Sequence, residues 1–109
     1  MVDFIRGQLP EGEQLAQLAE EAGELAHAAL KLRRAIDGTN PTPVTMSNAF
    51  ANLEEEVADV LVCLEVLGYN LVELPRYRMM MDSKLTRWAN RLNGAKTDDK
   101  TESGLLEED

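Results

Sequence analysis

Apolar side chains recur every three or four residues along three segments of the chain, which is the spacing of amphipathic helices. The segments cover residues 10–36, 47–69 and 74–92, and residues 2–8 form a shorter lead-in helix or turn. No segment has the alternating pattern of a strand. The pattern therefore predicts an all-α fold, a small bundle of three main helices plus a short N-terminal helix.

Local residue types set the expected ends of these helices. Pro10 is favoured at the first position of the first long helix, and Gly38 supplies a left-handed cap at its end. Two prolines predict a loop at residues 38–45. Ser47 is the expected N-cap of the second helix, and Asn93-Gly94 is expected to close the third.

The length of 109 residues allows one small domain, which we expect at residues 1–94. Residues 95–109 are polar and acidic, and we expect a disordered tail. Because a domain this small buries a modest share of its surface, oligomerisation is expected to complete the fold, as a homodimer or homotetramer.

Composition narrows the possible ligands. The net charge of −9 argues against nucleic-acid binding by bulk electrostatics. An anionic ligand would need a divalent metal or a local basic patch.

We expect a cytoplasmic protein without membrane contact. The chain has one cysteine, Cys63, and we find neither a signal peptide nor a long apolar run in the sequence.

Two acidic pairs share one spacing. Glu21 and Glu24 lie three apart in the first long helix, and Glu56 and Asp59 repeat this spacing in the second. Such glutamates often form only a solvated helix face. Asp59, however, stands in a nearly continuous apolar run, where a buried aspartate would need a partner or a metal. On a helical wheel, both pairs lie on the same side of their apolar stripes, so the two pairs can converge if the helices pack as neighbours.

Four converging carboxylates would repel each other without a cation. Oxygen-only ligands favour magnesium, manganese or calcium over zinc. A di-iron site is a further reading, because Glu24 and His27 form an ExxH motif. That site needs two such motifs, and His27 is the one histidine of the chain, so we expect it on the surface.

The third helix carries a basic stripe. Lys84, Arg87 and Arg91 recur at three and four residues, with Trp88 and Asn90 between them. The stripe is either a solvated basic face with Trp88 in the core or a clamp for phosphate oxygens, for which arginine and lysine are suited. Three methionines, Met79 to Met81, are expected in the core or at a subunit contact.

The ordered set of motifs resembles the MazG-like nucleotide pyrophosphohydrolases. Residues 20–25, EEAGEL, look like the EExxEL motif of that family, and residues 55–61, EEVADVL, look like its second motif. The likeness covers roughly residues 15–92 and reaches the lysine and asparagine of the third helix. The family often has asparagine four residues after the lysine, whereas this chain has Trp88 there and Asn90 two positions later.

The resemblance implies a function and a site. It implies Mg²⁺ ligands at Glu21, Glu24, Glu56 and Asp59, with Mn²⁺ as a substitute, and hydrolysis of a nucleoside triphosphate to the monophosphate and pyrophosphate. Glu21 or Glu24 would orient the attacking water and accept its proton. The substrate would be bound by Lys84, Arg87, Asn90 and Arg91.

Two other readings stay open. Phosphoribosyl-ATP pyrophosphohydrolases are similar helical proteins, and substrate profiling would separate them from the first reading. A non-catalytic helical binding module would also explain the amphipathic helices, but it would gain no stability from magnesium. The sequence does not identify a base or a sugar.

Overall fold

A computed structural model of the chain describes residues 1–39, 44–69 and 75–101, with side chains described as far as residue 95. The middle of the predicted loop, the predicted start of the third long helix at Leu74 and the last eight residues of the predicted tail lie outside these ranges.

The described residues form four helices and no strand, which confirms the all-α prediction. The helices are α1 (Val2–Gln8), α2 (Glu11–Asp37), α3 (Met46–Leu67) and α4 (Pro75–Thr101). They group into two compact units, Met1–Tyr69 and Asn70–Asp109. None of the described helices combines the length and the apolar character needed to cross a membrane.

Helix α2 ends before Gly38, as predicted, and α3 ends at Leu67, before the predicted end at Tyr69. Gly38 follows α2 with φ of 76°, and Gly68 follows α3 with φ of 95°; both conformations are left-handed and cheap for glycine alone. The predicted N-cap of α3 is wrong. Thr45, not Ser47, caps the helix, because its hydroxyl accepts a hydrogen bond from the Asn48 backbone N–H at 3.0 Å.

This cap makes a testable difference between two hydroxyl residues. Thr45→Ala should lower the free energy of unfolding by about 1 kcal/mol, because an N–H of the first turn of α3 loses its acceptor. Ser47→Ala should leave it unchanged or raise it slightly, since Ser47 lies inside the helix, where alanine is favoured. Urea unfolding of both variants measures the difference, and equal losses would contradict the assignment of the cap.

In the first unit, α2 packs chiefly against α3, and α1 packs on α3 as well. Arg6 stabilises the contact between α1 and α3, because its guanidinium donates hydrogen bonds to the carbonyl oxygens of Val66 and Glu65 at 2.6 and 3.1 Å. A cation at the end of α3 also suits the helix dipole. The buried Gln14 side chain donates to the carbonyls of Arg6 and Leu9 and so holds the turn between α1 and α2.

Fewer apolar residues of α2 and α3 are buried than the apolar spacing of the two helices predicts. Ala28 and Ala49 are almost fully buried, so small side chains mark where the backbones approach closely. Half-buried leucines on α2 recur every seven residues, at Leu18, Leu25 and Leu32. Several other stripe residues are exposed by half or more: Leu15, Ile36, Phe50 and Leu61. Two packed helices cover only one side of each other, which leaves the remainder of each stripe open.

The second unit consists of α4 in its described part. The predicted end at Leu92 is wrong, because α4 continues through Gly94 to Thr101. An interior glycine costs only about 1 kcal/mol in a helix, so Asn93-Gly94 is not an obligatory stop. Trp88 is 58% exposed, and the three methionines are exposed too.

Candidate metal centre

Three of the four predicted ligands converge between α2 and α3. Carboxylate oxygens of Glu21, Glu56 and Asp59 all lie within 4.8 Å of one another. Glu56 and Asp59 are neighbours because three residues make nearly one turn of α3, and the packing of α2 on α3 brings in Glu21. This geometry agrees with the convergence that the helical wheel predicts.

Glu24 lies outside this close group, although it is near enough to act on Glu56 electrostatically. It shares the lining of a cleft with Glu56. The two glutamates of α2 therefore have different positions, with Glu21 at the cluster and Glu24 on its flank.

The expected burial of Asp59 is wrong. Asp59 is exposed, and so are its apolar neighbours Val57, Leu61 and Val62. The apolar run is thus not a helix buried all round. Only the spacing of the acids correctly indicated the cluster, while the inference from burial did not hold.

Glu56 has a carboxylate oxygen that is enclosed by the protein. Its Oε1 is shut off from solvent and has no hydrogen-bond partner among the described residues. Burial raises the pKa of the Glu56 carboxyl above its ordinary value of 4.5, and the nearby acids raise that pKa further: Asp59, Glu24, Glu21 and Glu55. A buried acceptor among like charges is a setting in which a cation is favourable.

The raised pKa of Glu56 predicts a pH dependence of stability without metal. The folded state keeps the Glu56 proton to higher pH than the unfolded state does. The free energy of unfolding should therefore fall as pH rises from 4.5 through the raised pKa of the folded state. Glu56→Gln should flatten this decline, whereas Glu54→Gln, an exposed position on the same helix, should keep it. Chemical unfolding in EDTA across this pH range tests both, and an unchanged slope in Glu56→Gln would contradict the assignment.

Two neighbours of the cluster have roles that the sequence analysis did not assign. The Gln17 amide donates to Glu21 Oε2 at 2.9 Å and so orients that carboxylate. Burial raises the pKa of the Cys63 thiol, and the charges of Glu21 and Asp59 raise it further. Both residues stand four positions from a cluster acid, Gln17 before Glu21 and Cys63 after Asp59, so helical spacing was the available signal.

A cleft of about 470 Å³ adjoins the cluster on the surface of the first unit. Glu24 and Glu56 stand on its lining together with the α2 side chains of His27, Lys31 and Arg34. His27 is exposed, as predicted from its isolation in the sequence. These three residues were not among the predicted site residues, although they follow Glu24 at intervals of three, four and three residues on α2.

The predicted substrate residues all lie on α4, in the second unit, and all are exposed. Lys84 and Arg87 share the lining of a shallow groove of about 320 Å³ with Met79, Met80 and Ser83. Arg87 donates a hydrogen bond of 3.3 Å to the Ser83 hydroxyl. Asn90 and Arg91 continue along the helix beyond this groove.

The donor set fits a hard divalent cation. Oxygens that ligate Mg²⁺ at 2.0–2.1 Å lie at most about 4.2 Å apart, so the three carboxylates need only small side-chain movements to share one ion. Three oxygen donors without sulfur or imidazole match magnesium, manganese or calcium chemistry.

Comparisons with protein-family models, with curated proteins and with solved structures give no match.

Proposed function

We propose that the protein is a magnesium-dependent nucleoside triphosphate pyrophosphohydrolase. The observation that carries this proposal is the convergence of Glu21, Glu56 and Asp59 from two helices, with Glu24 beside them. The MazG-like motifs favour this reaction over other uses of an acidic cluster. Since no comparison with known proteins gives a match, the resemblance is carried by those motif residues alone.

Glu21, Glu56 and Asp59 would hold the ion, and Mn²⁺ would serve as a substitute. Magnesium at such a site neutralises phosphate charge and makes water more acidic. Gln17 would keep Glu21 in a fixed orientation through its hydrogen bond.

Glu24 is the better placed of the two proposed proton acceptors, because Glu21 belongs to the close ligand group and Glu24 does not. Glu24 would accept the proton of the attacking water as the oxygen bonds to the α-phosphorus. The bond from that phosphorus to the bridging oxygen breaks, and its electron pair leaves with pyrophosphate. The residues of α4 that the family resemblance implies for substrate binding remain Lys84, Arg87, Asn90 and Arg91, whose charged donors suit phosphate oxygens.

We also propose that the chain forms a homodimer or homotetramer in the cytoplasm. The exposed apolar residues of α2 and α3 support this assembly, because a second copy would cover them. They would equally serve a non-catalytic binding module, which is the main competing function.

The test is pyrophosphate release from a panel of canonical and modified NTPs and dNTPs, with Mg²⁺ and with EDTA. Magnesium-dependent release with a nucleoside monophosphate as co-product would support the proposal and identify the base. Phosphoribosyl-ATP is added to the panel as a separate substrate. Turnover of that compound alone would favour the related enzyme, and no turnover of any compound would favour the binding module.

A further inference from the structure

The cleft beside the metal centre changes in charge along α2. Glu24 lies at one end, and His27, Lys31 and Arg34 follow on the same helix face. Ten residues separate Glu24 from Arg34, or about 15 Å along the helix axis at 1.5 Å per residue. Glu56 of α3 belongs both to the cleft lining and to the acidic cluster, so cleft and metal centre are continuous.

The basic end of the cleft has unused donors. Arg34 is half-buried, and its Nε has no hydrogen-bond partner among the described residues. Within the same residues, neither Lys31 nor Arg34 forms an ion pair with a carboxylate. Arg34 and Glu56 line the same cleft without bonding to each other.

A ligand that suits both ends needs an anion at Arg34 and a bound cation at Glu56. A metal-chelated phosphate chain has this combination, and a cleft of about 470 Å³ lies within the usual size of ligand sites. Arginine and lysine are the usual partners of phosphate oxygens.

We propose that Lys31 and Arg34 form a phosphate-binding subsite in the α2–α3 cleft, next to the metal centre. This inference rests on the proposed function for the identity of the substrate but not for the binding itself. The subsite lies entirely within the first unit.

Calorimetric titration of the full chain with inorganic pyrophosphate tests the subsite, once in EDTA and once with Mg²⁺. Lys31→Gln and Arg34→Gln should each weaken binding about 10-fold in both buffers, because each removes one charged hydrogen-bond donor. Arg33→Gln is the matched control. It removes the same charge one position away, outside the cleft lining, and should change the affinity less than about 2-fold.

Lys31 is exposed, so Lys31→Gln keeps the test valid if Arg34→Gln unfolds. No binding by the unaltered chain, or equal losses in Arg33→Gln, would overturn the subsite. Pyrophosphate binding without hydrolysis of any NTP would support the subsite and count against the proposed function. Hydrolysis with an unchanged KM in both Lys31→Gln and Arg34→Gln would support the proposed function and count against the subsite.

Discussion

Asp59→Asn is expected to lower kcat/KM for the preferred nucleoside triphosphate by about 100-fold or more. Replacing a residue that only orients a metal ligand usually costs about 10- to 100-fold, and the loss of a charged ligand itself should cost at least as much. The side chain is exposed, so the fold should persist. Without metal the variant should even be more stable than the unaltered chain, since one of the charges that repel Glu56 is gone. Steady-state kinetics and thermal unfolding in EDTA measure these opposite changes.

Glu54→Gln is the control for this prediction, because it removes one charge from an exposed position of α3 outside the cluster. It should leave kcat/KM within about 2-fold of the unaltered chain. Glu24→Gln should lower kcat while Mg²⁺ affinity stays nearly unchanged, as expected of a proton acceptor outside the close ligand group. Undiminished hydrolysis in both Asp59→Asn and Glu24→Gln would refute the site assignment.

The second large effect is expected at Ala28, a small buried residue of α2 in the unit where α2 packs on α3. Ala28 is 1% exposed and also lines the cleft beside Glu56. Ala28→Leu should lower the free energy of unfolding by about 1–3 kcal/mol, because the added side chain must push the two helices apart. Ala29→Leu, the next residue and exposed, should cost less than about 0.5 kcal/mol.

Displacement of the helices would also separate Glu21 on α2 from Glu56 and Asp59 on α3. Ala28→Leu should therefore weaken Mg²⁺ binding as well as stability, whereas Ala29→Leu should change neither. Urea unfolding and metal titration of the two variants measure both effects. Equal stability of the two variants would show that Ala28 is not at a tight helix contact.

The sequence was sufficient for the four helices and for the helix face that each acidic pair occupies, because both depend on local spacing. A period of three to four residues sets which side chains share a helix face, and a glycine directly after the apolar pattern indicates the left-handed end of α2 at Gly38. Three of the four predicted ligands then meet because α2 packs on α3.

Features that depend on packing could not be predicted in this way. The burial of Asp59 was inferred from its apolar neighbours, but burial depends on which side of α3 faces α2. Helix ends are difficult to predict, because neighbouring residues can serve as the end at a similar free energy. Thr45 and Ser47 were both possible caps of α3, and α4 could stop at Gly94 or continue to Thr101. The basic cleft was missed because its residues lie on α2 among many surface charges, and only the three-dimensional lining sets them apart.

The most direct test of the central claim is calorimetric titration of the protein with Mg²⁺, repeated with Mn²⁺, for the unaltered chain and for Glu56→Gln. We expect saturable binding to the unaltered chain, a rise in Tm on binding, and loss of both in Glu56→Gln but not in Glu54→Gln. Absence of binding to the unaltered chain, or identical binding by Glu56→Gln, would contradict a metal centre at Glu21, Glu56 and Asp59.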